Sequence, residues 1–468
     1  MAVEQIVEVN VTVSSAPAPS TLQRTGALTS QGATTLAANT RALLTQASDL
    51  TPLLAAGLEV ASISWSGGVV TVTTTAPLPA WLTDGSNYGI VFTTTLAGFL
   101  PAGYNGQVQA TSTGASAFTF NLTNNPGAET ALGTYTITDE LEAMVDTFFA
   151  NGGSLSVYVL ELGANSAAAN IANLETYITN NPGFFYSYLC PRSWDQGTTS
   201  TTPMAGLLAL YDATNSKTYF WITSTPSTYT KYTSSQKDAF VLVEAPGIPL
   251  TEFSCAAPFW VALSYNPSGT NRVTPFAFSF LFGVTPYPTQ NNGPLLTALQ
   301  AANVNVVGTG AEGGLTDDIL FWGTTKDGKD FSFWYGVDWT QINLNLALAN
   351  AVINGSNNPQ NPLYYNQAGI NVLQSTAVSV IQEGVSDGML TGNVVSTELD
   401  PNTFEINLDD GTYADQCVVN AVPFTVYTAA NPSDYPAGKY AGLSAVALIS
   451  RGFIQIIFNL NVTQFLSQ

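Results

Sequence analysis

Near the start of the chain, Val7, Val9, Val11 and Val13 alternate with Glu8, Asn10 and Thr12. A period of two places these valines on one side of an extended backbone, so residues 5–13 predict a half-buried strand. The run Ser14-Ser-Ala-Pro-Ala-Pro-Ser20 ends it. The far end repeats the pattern: Ile454, Ile456, Phe458, Leu460 and Val462 alternate with polar residues, interrupted by Ile457. A strand at a chain end needs the edge of some sheet, in its own fold or in a neighbour. These nine apolar residues are therefore the candidates for burial at such an edge, whether it belongs to the same fold or to a neighbour.

The texture changes over 60–136. Short runs suited to strands fall at 69–75, 88–95, 107–113, 117–122 and 134–138. Ser66-Gly67-Gly68, Asp84-Gly85, Tyr104-Asn105-Gly106 and Asn125-Pro126-Gly127 punctuate them as turns. The segment predicts a small all-β domain. Helical signals flank it, at 45–56 (Leu50, Leu53, Leu54) and at 139–150 (Leu141, Val145, Phe148). Asp139 and Glu142 resemble a capping box, and Gly152-Gly153 follow the second helix. The β segment thus reads as an insertion into a parent domain.

That parent alternates strand and helix: 154–162 strand, 166–179 helix, 184–190 strand. Further strands are expected at 217–223, 239–244 and 275–282, with a short helix at 295–302 leading into a strand at 304–307. Residues 331–335 read as a strand. A helix then starts at Asp338-Trp-Thr-Gln341, with Ile342, Leu346, Ala349 and Ile353 on one face, and a second at 369–382 aligns Ile370, Leu373, Ala377 and Ile381. Residues 390–430 read as strands around the turn Asp409-Asp410-Gly411. The expected fold class is a multidomain α+β or α/β protein. Its parent core is 21–59 with 137–450, divisible into 137–290 and 291–450. The inserted β domain is 60–136, and 1–20 and 451–468 are strand-forming arms.

Composition sharpens this picture. Of 468 residues, 9% are charged, against roughly 25% in a typical soluble domain. Thr, Ser, Asn, Gly and Ala take their place, a surface that stays wet without repelling copies of itself. The net charge of −21 opposes binding to nucleic acid or to anionic membranes. The chain has no histidine, which removes Ser–His–Asp and Cys–His catalysis and histidine metal sites. Cys190, Cys255 and Cys417 form no CxxC pair and are expected as buried thiols. Met1-Ala-Val-Glu lacks the features of a signal peptide, and no run of about 18 apolar residues predicts a membrane span. The expected product is soluble and made in the cytosol.

Motifs with chemistry are few. Gly323-Thr-Thr-Lys-Asp-Gly-Lys329-Asp330 nearly matches a phosphate-binding loop. Asp330 stands where Ser or Thr should hold Mg²⁺. The alternation after it suggests a strand where that loop requires a helix, so 326–329 is expected as a hairpin turn. Asp317-Asp318 and Asp409-Asp410 are adjacent carboxylates that point apart in a strand, and Ala311-Glu-Gly-Gly314 is a flexible loop. Aromatics at Phe321-Trp322, 331–335 and Trp339 suit a core or a subunit contact better than a stacking platform, since basic residues do not interleave them. The triplets at Asn10, Asn121, Asn354 and Asn461 carry no meaning without secretion. No catalytic residue, metal ligand or cofactor is assigned.

Several segments in order resemble the tail sheath subunits of contractile-tailed bacteriophages, in a branch formerly catalogued as a domain of unknown function. They are 295–307 (Leu-Leu-Thr-Ala-Leu-Gln-Ala-Ala-Asn-Val-Asn-Val-Val), Gly323-Thr-Thr-Lys-Asp-Gly328 and Gly336-Val-Asp-Trp339 before a helix. Tyr364-Tyr-Asn-Gln-Ala-Gly369-Ile and Gly384-Val-Ser-Asp-Gly388 continue the series. The resemblance covers 137–468 and rests on the order of the segments; 60–136 departs from a minimal sheath and looks like an outward decoration. It implies a homo-oligomer of stacked hexameric rings around a tail tube, with arms adding strands to neighbouring sheets. It also implies baseplate and tail-terminator partners, assembly in the host cytoplasm, and residence in the virion tail. Contraction would drive the tube through the host envelope without a nucleotide. The sheath of a phage-like injection system or another virion component fits the same features. A secreted carbohydrate-active enzyme, which needs two positioned carboxylates among the 32 acidic residues, is the alternative of a different class.

Overall fold

The computed structural model describes residues 21–83, 88–197, 202–212, 216–233, 236–288, 293–309 and 317–453. In chain order, β1 (Gly26–Ser30) and β2 (Thr40–Leu44) precede six strands: β3 (Leu58–Ser66), β4 (Val69–Thr74), β5 (Val91–Ala97), β6 (Gly106–Gly114), β7 (Ala117–Asn121) and β8 (Thr134–Tyr135). Helix α1 (Asp139–Ala150), β9 (Val157–Glu161), α2 (Ala167–Asn180), β10 (Ser187–Leu189), α3 (Pro203–Asp212), β11 (Tyr219–Ser224), β12 (Ala239–Val243) and α4 (Ala256–Ser264) follow. Then come α5 (Gly293–Ala301), β13 (Val306–Gly308), β14 (Ile319–Phe321), α6 (Phe331–Asn357) and α7 (Gln367–Ser386). Last are β15 (Asn393–Thr397), α8 (Pro401–Asp409), β16 (Gln416–Ala421), α9 (Phe424–Ala430) and β17 (Leu443–Val446). The chain is mixed α/β with several sheets. It divides into two compact units, one holding 22–266 and 273–335, the other 267–272 and 336–450.

In the larger unit, six strands form a sheet in the order β12-β11-β10-β1-β9-β2. All pair in parallel except β2, which runs antiparallel to β9. Along the parallel strands the order is that of a doubly wound sheet, with direction reversing between β1 and β10. Such strands are covered on both faces and so read as unbroken apolar runs. Every residue of β11, Tyr-Phe-Trp-Ile-Thr-Ser, is buried. Phe220 and Ile222 face a core with Ile171 and Leu174 of α2 and Met204 and Leu207 of α3. Trp221 points the other way, its ring 5.7 Å from Phe259 of α4 and 5.3 Å from Phe331.

Strands β3 to β8 close into a barrel in the order β3-β4-β7-β6-β5-β8. Val70 and Val72 point into it and meet Phe92, Phe118 and Tyr135. Gly67 and Gly68 both hold positive φ (59° and 92°), the geometry a two-residue hairpin between β3 and β4 requires. Asp139 at the start of α1 accepts hydrogen bonds from Thr95 Oγ1 and Gln107 Nε2, tying β5 and β6 to the helix.

The smaller unit centres on a three-stranded sheet, β15-β16-β17. β15 and β16 are parallel, joined by α8, and β17 is antiparallel to β16. Ala377 and Ile381 of α7 pack on Cys417 and Val419.

Four expectations are corrected. Residues 45–56 form two separate 3-10 turns, Ala47–Asp49 and Thr51–Leu53, instead of an α-helix. The Asp49 carboxylate accepts from Thr45 N and Gln46 N, closing the first turn on itself, and Pro52 lacks the donor that would continue it. Residues 275–282 hold only an isolated bridge, Phe280 to Ile319, because Phe278 takes φ 62° and breaks the extension. Residues 331–335 open α6, so this helix begins seven positions before Asp338. Buried Phe331, Tyr335 and Trp339 are spaced by four, and Asp330 Oδ1 accepts from Ser332 N at 2.8 Å. Within 390–430, α8 and α9 interrupt the strands. Pro401 sits in the first turn of α8, Asp400 caps it by accepting from Thr403 N, and Gly411 at φ 73° follows its end.

Candidate functional site: strand ends and open edges

In a doubly wound sheet, ligands settle beyond the C-terminal ends of the strands where the order reverses. Here that place lies past β1 and β10, and the chain's own side chains fill it. Glu161, buried at the end of β9, accepts from Gly32 N, Gly163 N and Ser30 Oγ at 2.7 Å each, and from Thr34 Oγ1 at 2.8 Å and Thr34 N at 3.2 Å. These are donors of the kind that cradle a phosphate, and a carboxylate already holds them. Gly32 has φ 86°, and an added Cβ would come within 2.7 Å of Ala164. Beside it Gln31 accepts from Trp194 Nε1 at 2.9 Å and donates to Ser193 Oγ at 2.7 Å, stitching the β1 loop to the β10 loop.

Next to this seam, a cavity of about 670 Å³ separates the barrel strand β5 from the loops after β10, β11 and β12. Its charged groups are Glu140, Arg192, Asp195, Glu244 and Glu252. Arg192 grips Glu244 with two bonds, 2.8 and 2.6 Å, and donates to Glu252 O at 2.8 Å. Burial pushes the Glu140 carboxyl up, and the Arg192 guanidinium works against it. Glu252 accepts from Ser254 Oγ and from Thr285 N and Oγ1. Asp195 takes Ser224, Thr228, Tyr232 and Lys231. Burial lowers Lys231, opposed by Asp195. Each carboxylate is committed to a protein partner, an arrangement that locks the loops together.

The near phosphate loop gives a mixed result. A helix does follow it, which removes one reason against it. Its donors are nonetheless spent: Lys329 N donates to Asp327 Oδ1, Phe331 N to Gly323 O, and Ser332 N to Asp330. The Lys329 ammonium lies 3.7 Å from Asp327 and 4.6 Å from the Trp334 ring centre. Lys326 donates to Ala302 O, and burial pulls its pKa down to about 8. Residues 326–329 turn as expected, with Gly328 at φ 80°. Cys190, Cys255 and Cys417 are buried free thiols, and among the described residues no cluster of acidic and thiol side chains is placed to hold a metal.

The open features are edges. β15 and β17 each have one strand partner among the described residues, β16. Their sequences, Asn-Val-Val-Ser-Thr and Leu-Ser-Ala-Val, carry no charge, proline or bulge. Exposed edges of soluble proteins are usually guarded by such features. The larger sheet is guarded. Arg41 on the outer strand β2 bonds Tyr177 OH at 2.7 Å and covers Phe184. At the other edge, Asn305 accepts from Val243 N and donates to Val241 O. The sequence pointed to arm residues Val7, Val9, Val11, Val13, Ile454, Ile456, Phe458, Leu460 and Val462, all of which lie outside the described residues. It did not single out β15 and β17 as the unpaired edges, because a strand's partners are set by topology and leave no mark in its own pattern.

No family profile and no curated protein matches the chain. The solved structures it is similar to include two sheath proteins. One is the contracted helical sheath of the anti-feeding prophage, at 13% identity and TM-score 0.49, covering 98% of this chain and 99% of that one. The other is a sheath tail protein from Listeria innocua, at 11% identity and TM-score 0.36, covering 78% and 85%.

Proposed function

We propose that this chain is a structural sheath subunit of a contractile tail or contractile injection machine, assembling as stacked hexameric rings around a tube. The observation that carries the reading is the pair of unguarded edges, β15 and β17, in a chain whose two ends alternate like strands. Each arm supplies an edge with main-chain hydrogen bonds that survive large rotations of one subunit against another. Burying Ile454, Ile456, Phe458 and Leu460 contributes roughly 1.5–3 kcal/mol each before ordering costs. The ordered segments that resemble phage sheaths and the low charged fraction support the same reading. So does the crevice whose carboxylates are all engaged, which favours a role without catalysis. In a phage the sheath would meet tube, baseplate and terminator proteins and reside in the virion tail.

Negative-stain microscopy of the purified chain tests this. Striated tubes or stacked rings are expected, and truncation after Arg451 should leave a folded monomer that forms neither. A full-length chain that sediments as a monomer at high concentration across salt levels would overturn the reading.

A further inference from the structure

Phe278, Phe280 and Phe282 project from one short segment of the larger unit and are 39%, 60% and 58% exposed. The segment is anchored on its other side: Phe278 N donates to Leu320 O and Leu281 N to Asp318 O, while Phe276 and Leu281 are buried. Phe278 adopts φ 62°, an outlier for a bulky side chain, and its ring meets Phe321 edge-on at 5.9 Å. Three exposed phenylalanines on a firmly held backbone form an apolar ridge without a described cover.

The chain itself leads a cover to this ridge. Gly452 packs directly on Pro275, three residues before Phe278, with Asp330 Oδ2 3.6 Å from where its Cβ would be. The Arg451 guanidinium sits 4.6 Å from the Phe333 ring centre. The described chain therefore ends, at Phe453, within a few residues of this contact with the segment that carries the ridge. Fifteen residues remain, 454–468, a reach of about 50 Å when extended. None is charged, none is proline, and apolar positions alternate from 454 to 462 apart from Ile457. Such a segment left in water is an aggregation hazard. A short tether gives it an effective concentration of order millimolar at its own ridge, above that of any second chain in dilute solution.

We infer that in the unassembled subunit residues 454–468 fold back onto the Phe278–Phe280–Phe282 ridge of the same chain, and that assembly draws them off it. The inference rests on the assembly reading for the second half alone. The ridge holds the arm in check, so premature polymerisation competes with an intramolecular contact.

A disulfide trap tests it. Phe280→Cys is combined in turn with Phe458→Cys and Leu460→Cys in the full chain, where the native thiols are buried. Oxidation of dilute protein should give a disulfide within one chain, at a yield independent of protein concentration. Disulfides between chains, rising with concentration, would overturn the fold-back in favour of a second copy. In parallel, truncation after Phe453 should raise binding of an apolar fluorescent dye several-fold, and Phe280→Ser with Phe282→Ser should abolish the rise. Equal dye binding by full and truncated chains, with no disulfide, would also overturn it. An intramolecular disulfide without tubes would sink only the assembly reading. Tubes from a chain that never forms that disulfide would sink only the fold-back.

Discussion

The two principal sheets of this protein solve the same problem in opposite ways. The six-stranded sheet is finished within the chain: helices cover both faces, an arginine stands on one outer strand, and Asn305 seals the other edge. The three-stranded sheet is covered by α7, yet its two outer strands lack further strand partners among the described residues. Backbone donors and acceptors are obligatory bonding groups, so an edge is a demand as much as a surface. The first sheet answers it internally. The second leaves its outer strands open, and these are the edges at which the proposed assembly would add a neighbour's arm.

The comparison can be pressed first on the finished sheet, where the largest effects are expected. Trp221 is fully buried among Phe240, Phe259, Phe276 and Phe331. Trp221→Ala should cost about 3–5 kcal/mol in chemical denaturation, because the cavity adds to the lost transfer energy. A cost under about 1 kcal/mol would mean that this face is not a core.

Asp238 comes next. It is 1% exposed at the entrance to β12, neither carboxylate oxygen has a hydrogen-bond partner, and burial pushes its pKa from 3.8 up to about 8. The folded state thus keeps a proton that the unfolded state releases above about pH 4. The stability associated with that proton is complete below pH 4 and falls as pH rises toward 8. Asp238→Asn, neutral throughout, should flatten the slope of stability between pH 5 and 8 by an amount on the order of a few kcal/mol. Parallel slopes for both proteins in urea melts would refute the burial argument.

Local pattern carried much of this architecture. The elements α1, α2, β9, β11 and β12 fall where periodicity put them, with ends shifted by up to three residues, because they bury one face or two in a regular way. Errors came where two periods coincide. Phe331, Phe333 and Tyr335 alternate, yet Phe331, Tyr335 and Trp339 also repeat every four residues, and the helix won because that row is buried. Asp400-Pro401 was a legible helix start that the surrounding strands obscured. The crevice was invisible to sequence reading, since Glu140, Asp195, Glu244 and Glu252 are scattered along the chain and meet only through the crossovers. The arms read as strands in the sequence and lie outside the described residues, while the open edges of β15 and β17 emerge only from the order β15-β16-β17.

Within the smaller sheet, Gln374 offers a moderate perturbation. Its buried amide donates to Thr397 O at 2.7 Å and to Val419 O at 3.1 Å, holding β15 and β16 to α7. Gln374→Ala leaves one buried and one half-buried carbonyl short of a partner and should cost about 1–3 kcal/mol. Amide exchange should quicken in β15 and β16 while β11 and β12 stay protected. Uniform loss of protection across both sheets would contradict the separation into two units.

The smallest effect on folding should come with the largest on assembly. Ser396 of β15 and Ser444 of β17 are exposed on the open edges. Lysine is the usual guard of a natural edge, because its charge resists burial beside an incoming strand. Ser396→Lys and Ser444→Lys should each leave thermal stability within about 0.5 kcal/mol, as expected for surface changes away from a core. If a neighbour's arm pairs along these edges, each substitution places an ammonium where that arm must lie, and tubes should be lost or greatly shortened under microscopy. A lysine at Thr40, on the guarded edge of the six-stranded sheet, serves as the matched control and should leave tubes intact. Normal tubes from both edge variants would move the joint elsewhere. Loss of tubes in the Thr40 variant as well would show that added charge alone, on any edge, blocks polymerisation.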